Sequence, residues 1–144
     1  MHFEVKNGDF STKVYKDALS IRSAVFIHEQ NIDPQLEIDE FEKVRIYFVL
    51  YIQKKPVGTL RLAEKSNSVL KVERMAVLKE FRHLGLASQL LRAVEDYARL
   101  HSFTSIHLNA QHQVVKFYKK NGFHVSGDSF MEAEILHYPM VKEI

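Results

Sequence analysis

The residues able to do chemistry cluster first in "VERMAVLKEFRHLGLASQLL", Val72 to Leu91. A strand-like half runs into a helix-like half through Arg82-His83-Leu84-Gly85-Leu86-Ala87, with Ser88 next. A strand that enters a glycine-bearing turn and then a helix aims several backbone N–H groups at one point. The positive end of the helix dipole adds to them, so the turn can hold phosphate. Gly85 would admit a ligand close to the backbone, Ala87 would keep the helix start uncrowded, and Arg82 would add charge. An ordinary capped helix could use the same residues. Neither GxxxxGK[ST] nor GxGxxG occurs, so the usual nucleotide-binding folds lose ground.

The elements that must position this turn follow from length and pattern. A chain of 144 residues suits one domain, spanning 1–144, with a substantial core. Hydrophobic residues at 46% and charged residues at 26% are ordinary for a globular protein, and a net charge of +2 gives no sign of a nucleic-acid or membrane binder. The absence of cysteine excludes disulfides and thiol nucleophiles. With a polar N-terminus that lacks a signal-peptide core, it points to a cytoplasmic protein. Residues 2–6 read as a short strand. A helix capped by Ser11 or Thr12 should run to about His28, and the acidic, proline-containing residues 29–42 should form a loop or broken helix. Strands are expected over Val44–Ile52, Val57–Ala63 and Val69–Leu78. Leu86–Leu100 is an amphipathic helix, with Leu86, Leu90, Val94 and Ala98 on its apolar face. Thr104–Asn109 is a strand and His112–Lys120 a helix stopped by Asn121-Gly122, and Phe123–Ile144 supplies one or two last strands. The order is that of a mixed α/β sheet.

Arg82-x-x-Gly85-x-Ala87 matches the R/Q-x-x-G-x-G/A signature of the GNAT N-acetyltransferase superfamily. "LNAQHQVVKFYKKNGF" resembles that family's other block, a strand ending in Asn followed by a helix carrying "FYxxxGF". "IRSAVFIHEQ" and the tail "GDSFMEAEILHYPMV" look like its ElaA/YjcF branch. The resemblance implies a GNAT fold, whose mixed sheet splays two parallel strands apart to take acetyl-CoA as cosubstrate. By resemblance, backbone N–H groups of Arg82, His83, Leu84, Gly85, Leu86 and Ala87, with Ser88, would hold the pyrophosphate. Met75, Ala76 and Val77 would line the pantetheine and polarise the thioester carbonyl, and Asn109 would sit beside the pantetheine arm. Tyr118 would point at the coenzyme sulfur.

Acyl transfer to an amine needs a free lone pair, and a lysine-type amine is neutral at pH 7 in roughly one molecule per few thousand. A base must help, and the leaving thiolate benefits from a hydrogen-bond donor or acid. Tyr118 can serve the thiolate. Its spacing from Val114 and Phe117 also fits a core tyrosine. Strand alternation places Glu73 on the face of Met75 and Val77, as a base or as the ion-pair partner of Lys71 or an arginine. His137 and His28 are further base candidates. By resemblance the first helix and the loop after it form the acceptor side, where Arg22, Glu29, Gln30, Glu37 and Asp39 cluster and His137 would join them. Carboxylates there would favour a cationic amine, small or a protein lysine. No HExxH occurs, and His107 and His112 lack a metal spacing, so no metal is expected. No serine or cysteine motif suggests a covalent acyl-enzyme, so direct transfer in a ternary complex is expected. A non-catalytic acyl-CoA sensor is the alternative. The sequence is compatible with a homodimer without requiring one.

Overall fold

The computed structural model describes residues 2–144. Its strands are β1 (Phe3–Gly8), β2 (Ile46–Ile52), β3 (Lys55–Glu64), β4 (Val69–Val77), β5 (Ser105–Gln111), β6 (His124–Val125), β7 (Phe130–Glu132) and β8 (Ile135–Glu143). They form one sheet in the order β1-β2-β3-β4-β5-β8-β6, and β7 pairs with β8. β4 and β5 are parallel, and the remaining pairings are antiparallel. The helices are α1 (Lys13–Arg22), α2 (Pro34–Glu37), α3 (Leu86–Leu100) and α4 (Val115–Lys120).

Two helical layers sandwich the sheet. α3 sets Leu86, Leu90, Val94 and Ala98 against Phe48, Leu50, Leu60, Leu62, Leu70 and Val72. On the other face α1 packs Tyr15, Ala18 and Ile21, and the helical segment that continues it packs Val25, against Tyr47, Val49, Tyr51 and Ala76. β2 therefore buries side chains on both faces, which explains its unbroken apolar run.

Several local expectations are corrected. The first helix reaches Glu29, but its last two turns, Ser23–Glu29, are π-helical. The Thr12 side chain does not cap it: its Oγ1 donates to the Asp9 carbonyl, and Ser11 binds the Asp9 carboxylate. Residues 29–42 do form the expected broken helix: α2 is capped by the Asp33 side chain and stops at Glu37, with a 3₁₀ turn at Glu42–Val44 beyond it. The C-terminal stretch holds three strands, because Ala133 and Glu134 turn β7 back onto β8 with positive φ.

Candidate functional site

The cleft is a break between two parallel strands. β4 and β5 pair only where Val69, Leu70 and Lys71 meet Ser105, Ile106 and His107. Beyond that point β4 continues with β3 up to Val77 opposite Gly58, and β5 continues with β8 up to Gln111 opposite His137. Each strand keeps its outer partner and loses its inner one, so facing backbone groups border the gap. Asn109 lies two residues past the last shared pair and faces the α1 side, since its neighbours Leu108 and Ala110 are buried on the α3 side.

A bulge shapes the β4 wall. Ala76 faces Thr59 and Glu73 faces Arg61, so three steps on β4 span two on β3. Arg74 absorbs the extra residue with φ of 54°. The bulge changes which residues share a face. Met75 and Val77 pack on the α3 side, and Ala76 on the α1 side, with Glu73. The alternation that placed Glu73 beside Met75 and Val77 is thus overturned.

The turn from β4 into α3 has the geometry of a cradle. His83 and Gly85 both have positive φ, 65° and 78°, and alternating left-handed residues turn successive N–H groups inward. A Cβ on Gly85 would meet nothing within 4 Å, so the space above it is open. Among the described residues no side chain caps α3, and its first backbone bond runs from Gln89 N–H to the Gly85 carbonyl. The N–H groups of Leu86, Ala87 and Ser88 therefore lack helical partners. These features fit a pyrophosphate. Arg82 stands differently from its expected role as a free charge. Its Nε donates to the Val77 carbonyl at 2.9 Å, and both Nη atoms bind the Glu29 carboxylate at 2.6 Å. The Arg82 hydrogen bond holds the Glu29 carboxyl below its ordinary value. Arg82 is a strap between the cradle and the end of the π-helical segment, and the turn's free attraction for anions lies in its backbone.

Tyr118 packs on the α3 face of the sheet, fixed by the end of its own helix. Phe123 N–H returns to the Tyr118 carbonyl at 3.0 Å and Gly122 N–H to Lys119 at 3.1 Å, with Gly122 at φ of 90°. This is a Schellman motif, and its hydrophobic contact is Tyr118 against Phe123, ring centroids 5.8 Å apart. Burial pushes the Tyr118 phenol well above its usual value. Among the described residues no group bonds its hydroxyl, yet the oxygen is not sealed from solvent.

The acceptor side differs most from expectation. Arg22 is 1% exposed and spends its guanidinium on Glu37 and Glu42, so it is structural rather than open to a substrate. Arg61, inside the apolar strand β3, binds Asp39, Glu42 and Glu73. Arg45 joins Glu73, and Arg74 joins Glu37 and Asp39. Four arginines meet four carboxylates, so this cluster offers a cationic acceptor no net charge. Burial alone would raise the Glu73 carboxyl, but the Arg45 hydrogen bond and the charges of Arg61, Arg45 and Lys71 outweigh it and hold it low. A carboxylate so stabilised is a poor base. Gln30 is exposed at the end of the π-helical segment. His137 is buried on β8, ring-stacked with Phe130 at 5.7 Å. Arg45, Arg61 and Glu42 were not singled out from the sequence. The available signal was an arginine and a glutamate breaking or bordering apolar strands.

A mixed sheet split between parallel strands, with a helix N-terminus at the mouth of the split, is the GNAT fold. The GNAT acetyltransferase domain profile matches residues 11–144, and the chain belongs to that family. The uncharacterized N-acetyltransferase YjcF of Bacillus subtilis (strain 168) is 40% identical over 129 residues, covering 89% of this chain and 91% of that protein. A crystal structure from Lactobacillus plantarum, assigned to the N-acetyltransferases, superposes with a TM-score of 0.93 at 27% identity and 99% coverage of both chains. Escherichia coli ElaA shares the fold, with a TM-score of 0.84 at 21% identity over 99% of this chain and 100% of its own.

Proposed function

We propose that the protein moves an acetyl group from acetyl-CoA to an amine by direct attack within a ternary complex. The observation that supports this best is a coincidence of parts at one cleft. The uncapped α3 N-terminus follows the free end of β4, and α4, which carries the unengaged Tyr118 hydroxyl, follows the free end of β5.

The backbone from Arg82 to Ser88 would take the pyrophosphate, and the strand from Met75 to Val77, with Asn109 across the gap, would flank the pantetheine and thioester. An N–H beside the β4 bulge would polarise the thioester carbonyl. Tyr118 would face the sulfur as a hydrogen-bond donor. A thiol titrates near 8.5, whereas a buried phenol titrates above 10, so full proton transfer from Tyr118 to the thiolate is uphill. Donating a hydrogen bond to the developing charge is the role that fits.

The test is thiol release from acetyl-CoA with spermidine, an aminoglycoside, free amino acids and a lysine peptide as acceptors. Release that depends on one amine class, with intersecting double-reciprocal lines, is the expected result. Parallel lines would overturn direct transfer. Tight coenzyme binding with no transfer to any acceptor would overturn the enzyme reading in favour of a sensor.

A further inference from the structure

Resting on the acyltransferase reading above, we propose that His137 is the general base, acting through Nε2 from the sheet face opposite Tyr118, with Glu132 beside that nitrogen to receive a cationic amine. Nδ1 of His137 lies 2.7 Å from the Ile135 carbonyl oxygen. A carbonyl only accepts, so Nδ1 carries the proton and the neutral ring keeps its lone pair on Nε2. That nitrogen is 3.6 Å from the Glu132 carboxylate, which is itself 60% exposed. Stacking on Phe130 at an interplanar angle of 18° and the Ile135 bond fix the ring's direction.

His137 stands on β8, the strand next to the cleft wall β5. His137 pairs with Gln111, the last residue of β5, where β5 has parted from β4. Gln111 and Asn109 alternate with residues buried on the α3 side, so they and His137 belong to the α1 face. A thioester in the gap would meet Tyr118 from one face and an amine held at His137 from the other. β7 brings Phe130 and Glu132 to the ring, and β5 brings Gln111. The Glu134 carboxylate lies in the β7–β8 turn, and the 112–114 turn beside β8 carries His112 and Gln113. Among the described residues only Glu132 comes within ion-pair distance of His137. Glu73, the competing carboxylate, is occupied by Arg45 and Arg61.

In the step, Glu132 pairs with the incoming ammonium and Nε2 takes one of its protons. The freed lone pair forms the N–C bond at the thioester carbonyl. The C–S bond breaks and its electron pair goes to sulfur, under the Tyr118 hydrogen bond. The second amine proton passes to the thiolate, giving amide and thiol, and the imidazolium returns its proton to solvent.

His137→Asn keeps an N–H able to reach the Ile135 carbonyl and removes the basic nitrogen. With the acceptor identified by the thiol-release panel, its turnover should fall about a hundredfold or more. The acidic limb of kcat/KM against pH should disappear, and acetyl-CoA affinity should stay within about twofold. On the wild type, ¹⁵N NMR of the imidazoles should show the neutral His137 ring protonated at Nδ1 only. Unchanged turnover and pH profile in His137→Asn, loss of coenzyme binding along with turnover, or a neutral ring protonated at Nε2 would each overturn the assignment. A wild type that acetylates nothing in the panel would instead overturn the acyltransferase reading beneath it.

Discussion

Tyr118 shows how one side chain is made available for chemistry. Its ring belongs to the core beside Phe117 and Phe123, while its hydroxyl takes no partner among the described residues. The oxygen keeps access to solvent, so it meets no penalty for lacking a protein partner and stays free to donate. Tyr118→Phe should therefore leave thermal stability nearly unchanged, since the ring and the Schellman contact survive. Turnover should fall about ten- to a hundredfold, the scale of a hydrogen bond to a charged group. The loss should shrink with a thioester whose leaving thiol is more acidic. A Phe variant with full activity on the identified acceptor would make Tyr118 a packing residue.

At the scale of elements, the buried ion-pair cluster fastens residues 37–44 over the sheet. Glu42 is its hub: it accepts from Arg22, Arg61, Tyr15 and Tyr47, and from the Asp39 N–H. Glu42→Gln would leave two buried guanidinium groups short of charge. It should destabilise the fold by about 3–5 kcal/mol in a denaturant titration, the cost of breaking a buried pair. A loss under about 1 kcal/mol would mean that the remaining carboxylates re-form the cluster. The sequence offered Glu73 as the ion-pair partner of an arginine, but the rest of the network was not legible, because the partners come from α1, the 37–44 segment, Arg45, β3 and β4, and no local spacing records them. α3 was legible from end to end, because its apolar positions recur every four residues and face one core. The Asn121-Gly122 stop was legible for a similar local reason, since a left-handed residue must end the helix. The β4 bulge was not. Its extra residue is Arg74, which carries no glycine-like mark, and the face of Glu73 turned on it.

At the scale of the whole molecule, charge and cleft make separate claims. The carboxyls of Asp39, Glu42 and Glu73 are all held low in the fold. Each is depressed by guanidinium or N–H donors that outweigh the opposing effect of burial. A carboxyl with a depressed native value stabilises the fold above its unfolded value, about 4, and loses that contribution as pH falls toward the native value. The melting temperature should be level from about pH 8 to 5 and drop below about pH 4. A melt unchanged down to about pH 3 would contradict the cluster's role in stability.

The cleft is tested most directly by calorimetric titration of acetyl-CoA into the wild type and into Gly85→Glu. Gly85 has φ of 78° and open space above it, so the new side chain would stand where the pyrophosphate is proposed to lie and repel it. The account predicts one equivalent bound by the wild type, and none by a variant that remains folded by circular dichroism. Wild-type affinity in the folded variant, or no binding by the wild type, would contradict it.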